Sequence, residues 1–265
     1  MPRILYHAWI LHYTKRLDVF PRPEPHLVVA RVQPVSVDEA VPSGGVGWQD
    51  ENVLESYACK LVIQFLRRRA AETGISVLLR PSNPNIPPTK ILAAWNTIDP
   101  PTLEISYLSP RFFTILFVCP SSEHSLLLGS DSEEIFQASS KDLFTTIFNP
   151  ATYRSKPSFL QGVLQSLRRA RVPGGLDITS PTTHILDSDR SEPGLVLSMI
   201  VLWSFAFLDY LEKSIFQVTG ARFVEGKEPW NAWKRAVELH SSRKDGMARR
   251  PESPSIVYGS VRREG

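Results

Sequence analysis

Gly194-Leu195-Val196-Leu197-Ser198-Met199-Ile200-Val201-Leu202-Trp203-Ser204-Phe205-Ala206-Phe207-Leu208 runs fifteen residues without a charge, opened by Pro193 and closed by Asp209. A helix this apolar on every side must be buried in protein or in lipid. At 1.5 Å per residue it covers roughly 22 Å, short of the roughly 30 Å hydrocarbon core of a bilayer. Extending it to Phe216 adds length but brings in Asp209, Glu212 and Lys213. Two readings follow, a helix at the centre of a folded core or a membrane-embedded or interfacial segment. Leu195, Met199, Leu202, Trp203 and Phe207 carry the apolar contact under either one. The charges flanking the stretch are mixed on both sides, so they set no orientation across a bilayer.

Outward from this stretch, Glu228-Pro229-Trp230 starts an amphipathic helix with Trp230, Trp233, Ala236, Val237 and His240 about one face. Trp230 and Trp233, three apart and flanked by Lys227, Lys234 and Arg235, fit packing against the apolar helix or an aromatic anchor at a membrane interface. On the other side, Pro173 to Glu192 is polar and turn-rich. Phe159, Val163, Leu164 and Leu167 line one face of a helix that ends in Arg168, Arg169 and Arg171. Residues 151–243 therefore predict a helical region with its apolar helix at 194–216, followed by a disordered basic tail at 244–265.

The preceding stretch, 48–150, reads as a small α+β unit. Asp50 is the expected N-cap of a helix carrying Val53, Leu54, Tyr57, Ala58, Leu61, Val62, Phe65 and Leu66 at helical spacing up to Gly74. Ile75–Leu79, Leu103–Tyr107 and Ile135–Ala138 are the expected short strands. Lys90–Trp95 is expected to be a short helix after Pro88. Ser109-Pro110 opens a helix through Cys119, with serine as cap and proline at the first position. Ser122 caps another helix, ended by Gly129, and Ser140 caps a helix over Lys141–Phe148. Before all this, Pro2–Leu17 reads as an amphipathic helix and Val28–Val32 as a short strand. A Pro/Gly-rich linker completes residues 1–47. The fold class is α+β and predominantly helical: a mixed unit with two or three short strands, then helices.

Composition bounds the function. The chain has 265 residues, 22 prolines, two cysteines and a net charge of +3, too little charge to imply nucleic acid by itself. Arg67, Arg68 and Arg69, and Arg168, Arg169 and Arg171, form basic clusters read as solvated helix ends, with attraction to anionic headgroups as the sharper alternative. Few aromatics interleave them, which argues against single-stranded nucleic acid. Cys59 and Cys119 do not make a disulfide scaffold, and the N-terminus lacks the uninterrupted apolar run of a signal peptide. The expected location is intracellular, either cytoplasmic or membrane-associated.

Catalytic signals are weak. His7 and His12 are five apart, off a common helical face, and neither HExxH nor CxxC occurs, so no metal is expected. No GxSxG is present; Cys119 with His124 five residues on is the nearest approach to a nucleophile and base, and the plainer reading is a small buried hydrophobe beside a helix cap. Glu133 and Glu134, and Asp187 and Asp189, lie in polar segments and read as solvated carboxylates. Gly44, Gly45 and Gly47 precede Trp48-Gln49-Asp50 and not the Lys-Ser/Thr of a phosphate loop, so no cofactor is expected.

Tyr6-His7-Ala8-Trp9-Ile10-Leu11-His12-Tyr13-Thr14-Lys15-Arg16-Leu17, with Phe20-Pro21-Arg22-Pro23-Glu24-Pro25, resembles the end of the shared domain of the domain-of-unknown-function 1365 family in its fungal form. There an aromatic-rich helix passes into a proline-rich segment. Ile105-Ser106-Tyr107-Leu108-Ser109-Pro110-Arg111-Phe112-Phe113 is similar to the C-terminal extension of those fungal proteins, where a strand leads into a Pro-Arg-Phe-Tyr-type helix. The closer match covers about the first 25 residues. The resemblance implies a C-terminal region whose shared domain is absent from this chain, and a link to lipid metabolism by association with lipid-modifying genes. It carries no functional residues over. Three function classes stay open: a non-catalytic or accessory module at a membrane surface, an enzyme acting on a lipid or hydrophobic substrate, and a soluble interaction domain with a buried core helix. The corresponding partners are a lipid or membrane surface, or another protein chain.

Overall fold

The computed structural model describes residues 51–93, 100–148, 158–219 and 228–248. The expected N-terminal helix, the Val28–Val32 strand, the linker with Asp50 and the far C-terminal tail lie outside those residues. The first described helix, α1 (Val53–Thr73), is capped by Asn52. Asn52 Oδ1 accepts from the Glu55 amide at 2.9 Å, and Glu55 Oε2 accepts from the Asn52 amide at 3.0 Å. That reciprocal pair satisfies two otherwise orphaned amides and makes Asn52 the cap. At the other end Gly74 takes φ +68°, a left-handed conformation that glycine adopts without strain.

Strands β1 (Ser76–Pro81), β2 (Thr89–Ile91), β3 (Thr102–Tyr107) and β4 (Phe136–Ala138) form one sheet in the order β2-β1-β3-β4. β1 and β3 are parallel, with Leu79 opposite Ile105, and β2 and β4 pair antiparallel on the two edges. Lys90 and Ile91 thus belong to an edge strand where the sequence reading expects a helix. Thr89 and Ile91 are β-branched, and the main-chain ladder to β1 outweighs any local helical preference in so short a run.

α2 (Arg111–Val118) is nearly all apolar and buries Phe112, Phe113, Leu116 and Phe117 beside α1. Pro110, not Ser109, is its first flanking residue, and the buried Ser109 hydroxyl makes no hydrogen bond among the described residues. The next helix, α3 (Ser122–Ser125), is capped by Ser121, one residue earlier than the sequence suggests. It continues into a π-helical turn, Leu126–Ser132, through Gly129. A Cβ on Gly129 would lie 2.6 Å from Phe136 Cε1, so glycine there is a packing requirement and not a helix stop. α4 (Lys141–Phe148) closes the sheet side. Phe112, Phe136, Phe144, Phe148 and Phe65 then run as a chain of ring contacts 4.5 to 5.6 Å apart.

The second half is helical as expected: α5 (Phe159–Arg169), α6 (Glu192–Thr219) and α7 (Ala232–Ala248). One hydrophobic core draws on both halves, from Ala58 and Val62 of α1 through Leu164 of α5 to Leu195, Val201 and Leu202 of α6.

Beneath α5 lies a buried ion pair. Arg168 Nη1 donates to Asp187 Oδ2 at 2.5 Å, and both side chains are 0% exposed. Arg168 Nε also donates to the Phe117 carbonyl at 2.8 Å, and the guanidinium lies 5.4 Å from the Phe117 ring. Two expectations need correction here, since neither Arg168 nor Asp187 is solvated. Arg69 departs from the surface reading in the same way. It is buried, donating from Nε to Ile147 O at 3.1 Å and from Nη2 to Thr146 O at 3.2 Å. In both cases a guanidinium satisfies the exposed carbonyls at the C-terminal end of a neighbouring helix, where its charge also meets the negative end of the dipole.

Candidate functional site

α6 has 28 residues, about 42 Å of helix, and is long and apolar enough to cross a membrane. Only 22% of its most apolar window is buried, although Leu195, Val201 and Leu202 belong to the core. Burial is confined to one side. Leu195, Ser198, Val201 and Leu202 are buried, and Met199 and Phe205 are partly covered, against the core reached through α5. On a wheel of about 100° per residue these positions share one arc. Asp209 lies on the same arc and pairs with Arg171. Glu212 falls there too.

The other side faces outward. Val196, Leu197, Ile200, Trp203, Phe207, Leu208, Leu211, Ile215 and Val218 are exposed and fall within an arc of about 140°. Trp203 is 61% and Phe207 59% exposed. Taken together, the exposed apolar surface is on the order of 800 Å², above the roughly 300–600 Å² of the largest patch on a typical soluble monomer. Two serines interrupt this arc. Ser204 Oγ donates to the Ile200 carbonyl at 2.9 Å, and Ser214 Oγ donates to the Tyr210 carbonyl at 2.8 Å. Both hydroxyl protons are therefore used within the helix, as an apolar surrounding requires.

The buried side has its own polar anchor. Ser198 Oγ lies 3.1 Å from Tyr57 Oη of α1, and Arg190 Nη1 donates to both, at 2.5 and 2.8 Å. The sequence reading passes over Arg190. Its signal was available, because a cation just ahead of a helix start opposes the dipole.

The remaining site candidates separate. Trp230 packs on Phe216 of α6 at 5.5 Å, whereas Trp233 turns to the core and meets the His124 ring at 6.1 Å. Neither joins the outward arc of α6. Arg67 is exposed. Arg68 pairs with Asp189, and Arg169 donates to the Ser180 and Pro181 carbonyls. The two clusters thus spend most of their cations on internal partners.

Cys119 and His124 do not form a reactive pair. Burial pushes the Cys119 thiol up to about 12, despite the opposing influence of a Ser125 hydrogen bond and of Arg171 and Arg168. At neutral pH it is a protonated, inert thiol. His124 Nδ1 lies instead 2.6 Å from Ser121 Oγ, and burial holds the imidazole down to about 4. Ser121 also accepts from the His124 amide at 3.4 Å, so this contact belongs to the helix cap. Among the described residues no three His, Cys, Asp or Glu side chains are gathered as metal ligands.

The fold carries two cavities among the described residues. One, of about 410 Å³, is bordered by Ser121, Thr145, Thr182 and His184. The other, of about 320 Å³, lies between α1 and the start of α6, bordered by Leu61, Phe65, Arg68, Arg190 and Gly194. Comparison with protein-family models, with curated proteins and with solved structures gave no match, so the reading of this chain rests on the geometry of α6 and its surroundings.

Proposed function

We propose that this chain is an accessory, non-catalytic module held at a membrane surface by α6, in a protein associated with lipid metabolism. The observation that carries the reading is the outward apolar arc of α6, with its two serines closed on their own backbone and Asp209 paired with Arg171. Residues 195–205 pack one side of the helix on the folded body, whereas 206–213 are exposed all round, so the apolar arc is offered to a bilayer along the whole helix. Apolar burial supplies the attraction. The lipid-metabolism association follows from the resemblance of residues 6–25 and 105–113 to the fungal family named above.

Fractionation of the expressed chain tests this. Retention in the membrane pellet through a high-salt wash is expected, because salt screens charge but not apolar burial. Recovery as a soluble, cooperatively folding monomer would overturn the proposal. Recovery as a soluble dimer that Trp203→Asp makes monomeric would assign the arc to a second protein chain.

The enzyme reading has one observation in its favour, the Ser121–His124 contact beside the 410 Å³ cavity. A histidine held at about 4 is a weak base at neutral pH, which is why this reading ranks second. Loss of a lipid-ester hydrolysis activity in Ser121→Ala would raise it.

A further inference from the structure

Arg190 is half-buried, and its side chain donates from Nη1 to two neutral hydroxyls, Tyr57 and Ser198. Among the described residues it forms no ion pair with a carboxylate, unlike Arg68, Arg168, Arg171 and Arg235. Its ring contact with Tyr57, at 5.6 Å, and the absence of a side chain on Gly194 fix where the guanidinium sits. A Cβ on Gly194 would lie 3.3 Å from Arg190 Nε and 3.4 Å from Nη2. This cation borders the 320 Å³ cavity together with Arg68, Gln64 and Ser191. Arg68 Nε is buried without a hydrogen bond, 3.5 Å from Glu72 Oε1. Asp189 supplies one negative charge, already engaged by Arg68. The cavity wall therefore carries one more cation than carboxylate.

The geometry points to this cavity as a binding site for the phosphate of an amphiphilic phosphate ester. Two guanidinium groups, an amide and a hydroxyl around one space suit a tetrahedral oxyanion with several free oxygens better than a planar carboxylate. The volume exceeds that of a lone phosphate, and Leu61, Phe65 and Leu186 give the remainder an apolar wall. Val196 and Leu197 begin the outward arc of α6 within a turn of the cavity. The ester could be drawn from a lipid headgroup or from a soluble metabolite, and the site does not depend on the membrane reading.

The probes are glycerol 1-phosphate, titrated calorimetrically into the full chain in a non-ionic detergent, and vesicles of phosphatidylcholine with or without phosphatidic acid. Three proteins are compared: the native chain, Arg190→Gln and Gln64→Glu. Gln64 is exposed, so the isosteric Gln64→Glu places a carboxylate at the cavity without disturbing the core. Saturable binding that each variant weakens at least about tenfold supports the site, that being the lower range for a charge-assisted hydrogen bond. A preference for phosphatidic acid vesicles that both variants abolish assigns it to headgroups. Glycerol phosphate binding without any vesicle binding retains the site and overturns the membrane reading instead. Binding of either probe that is unchanged in Gln64→Glu, or no binding of either, overturns the proposal.

Discussion

Replacing Trp203 and Phe207 together by aspartate removes the two largest side chains from the outward arc of α6 and leaves its packed side untouched. Their exposures, 61% and 59%, fix what a membrane would cover. With about 150–250 Å² per aromatic side chain, roughly 120–150 Å² of each remains open. At about 25 cal/mol per Å² that area is worth roughly 3–4 kcal/mol per ring, or about 6–7 kcal/mol for the pair when fully covered. A partition coefficient falls tenfold for each 1.4 kcal/mol, so the double variant should bind at least about a hundredfold more weakly, even if half the area is covered. The assay is flotation of the purified chain with phosphatidylcholine vesicles, accompanied by a thermal melt in lipid-free detergent. Because neither ring belongs to the core, the melt should move little, as for other exposed substitutions. Unchanged flotation would refute the reasoning directly. A collapsed melt would refute it too, since it would mean that the rings support the fold.

The other expectations concern the fold beneath the site. Arg168→Met leaves Asp187 buried without its partner and should cost about 3–5 kcal/mol by denaturant unfolding; Arg168→Met with Asp187→Leu should regain a good part of that loss. Gly129→Ala drives a methyl into the Phe136 ring and should cost about 1–3 kcal/mol, visible as a lowered Tm. Acid should destabilise the protein. Burial lowers the folded-state pKa of His124 from 6.5 to about 4, so the unfolded chain takes up its proton first as pH falls. The His124 contribution is complete above pH 6.5 and is lost between there and about pH 4, amounting to about 3 kcal/mol. His184, held well below its ordinary value by burial and then by Arg168, acts in the same direction. Asp131 adds to it: burial raises its pKa, but hydrogen bonds from Lys141 and Arg243 prevail and leave it lowered. A Tm that stays level from pH 7 to 4.5 would contradict this account.

Local signals in the sequence carried much of the architecture. Periodicity and glycine placed α1 up to Gly74, and the uncharged run placed α6, because both depend on residues a few positions apart. β2 was missed because three residues flanked by proline carry no period of their own and become a strand only through β1. Arg168 looked like part of a solvated cluster because its partner, Asp187, lies 19 positions away in a turn-rich segment. The 320 Å³ cavity joins residues near 61–68 with residues near 186–194, a separation that no local pattern reports.

Which face of α6 turns outward is decided by its polar residues and not by its apolar ones. Leucine, valine, isoleucine and phenylalanine surround the helix, so apolar burial alone would accept several rotations about its axis. Ser198, Ser204 and Ser214 break that degeneracy. A buried hydroxyl without a partner costs about 1–3 kcal/mol, and Ser198 finds its partners in Tyr57 of α1 and in Arg190, just ahead of α6. Ser204 and Ser214 bond to their own helix and can face any surrounding. Asp209, held by Arg171, sits on the same side as Ser198 and adds to the constraint. Rotating the helix by about a quarter turn would strip both anchors and turn Asp209 toward the outward arc. The few polar groups on the inner side therefore select the one rotation that presents Trp203 and Phe207 outward, and the apolar surface follows from it.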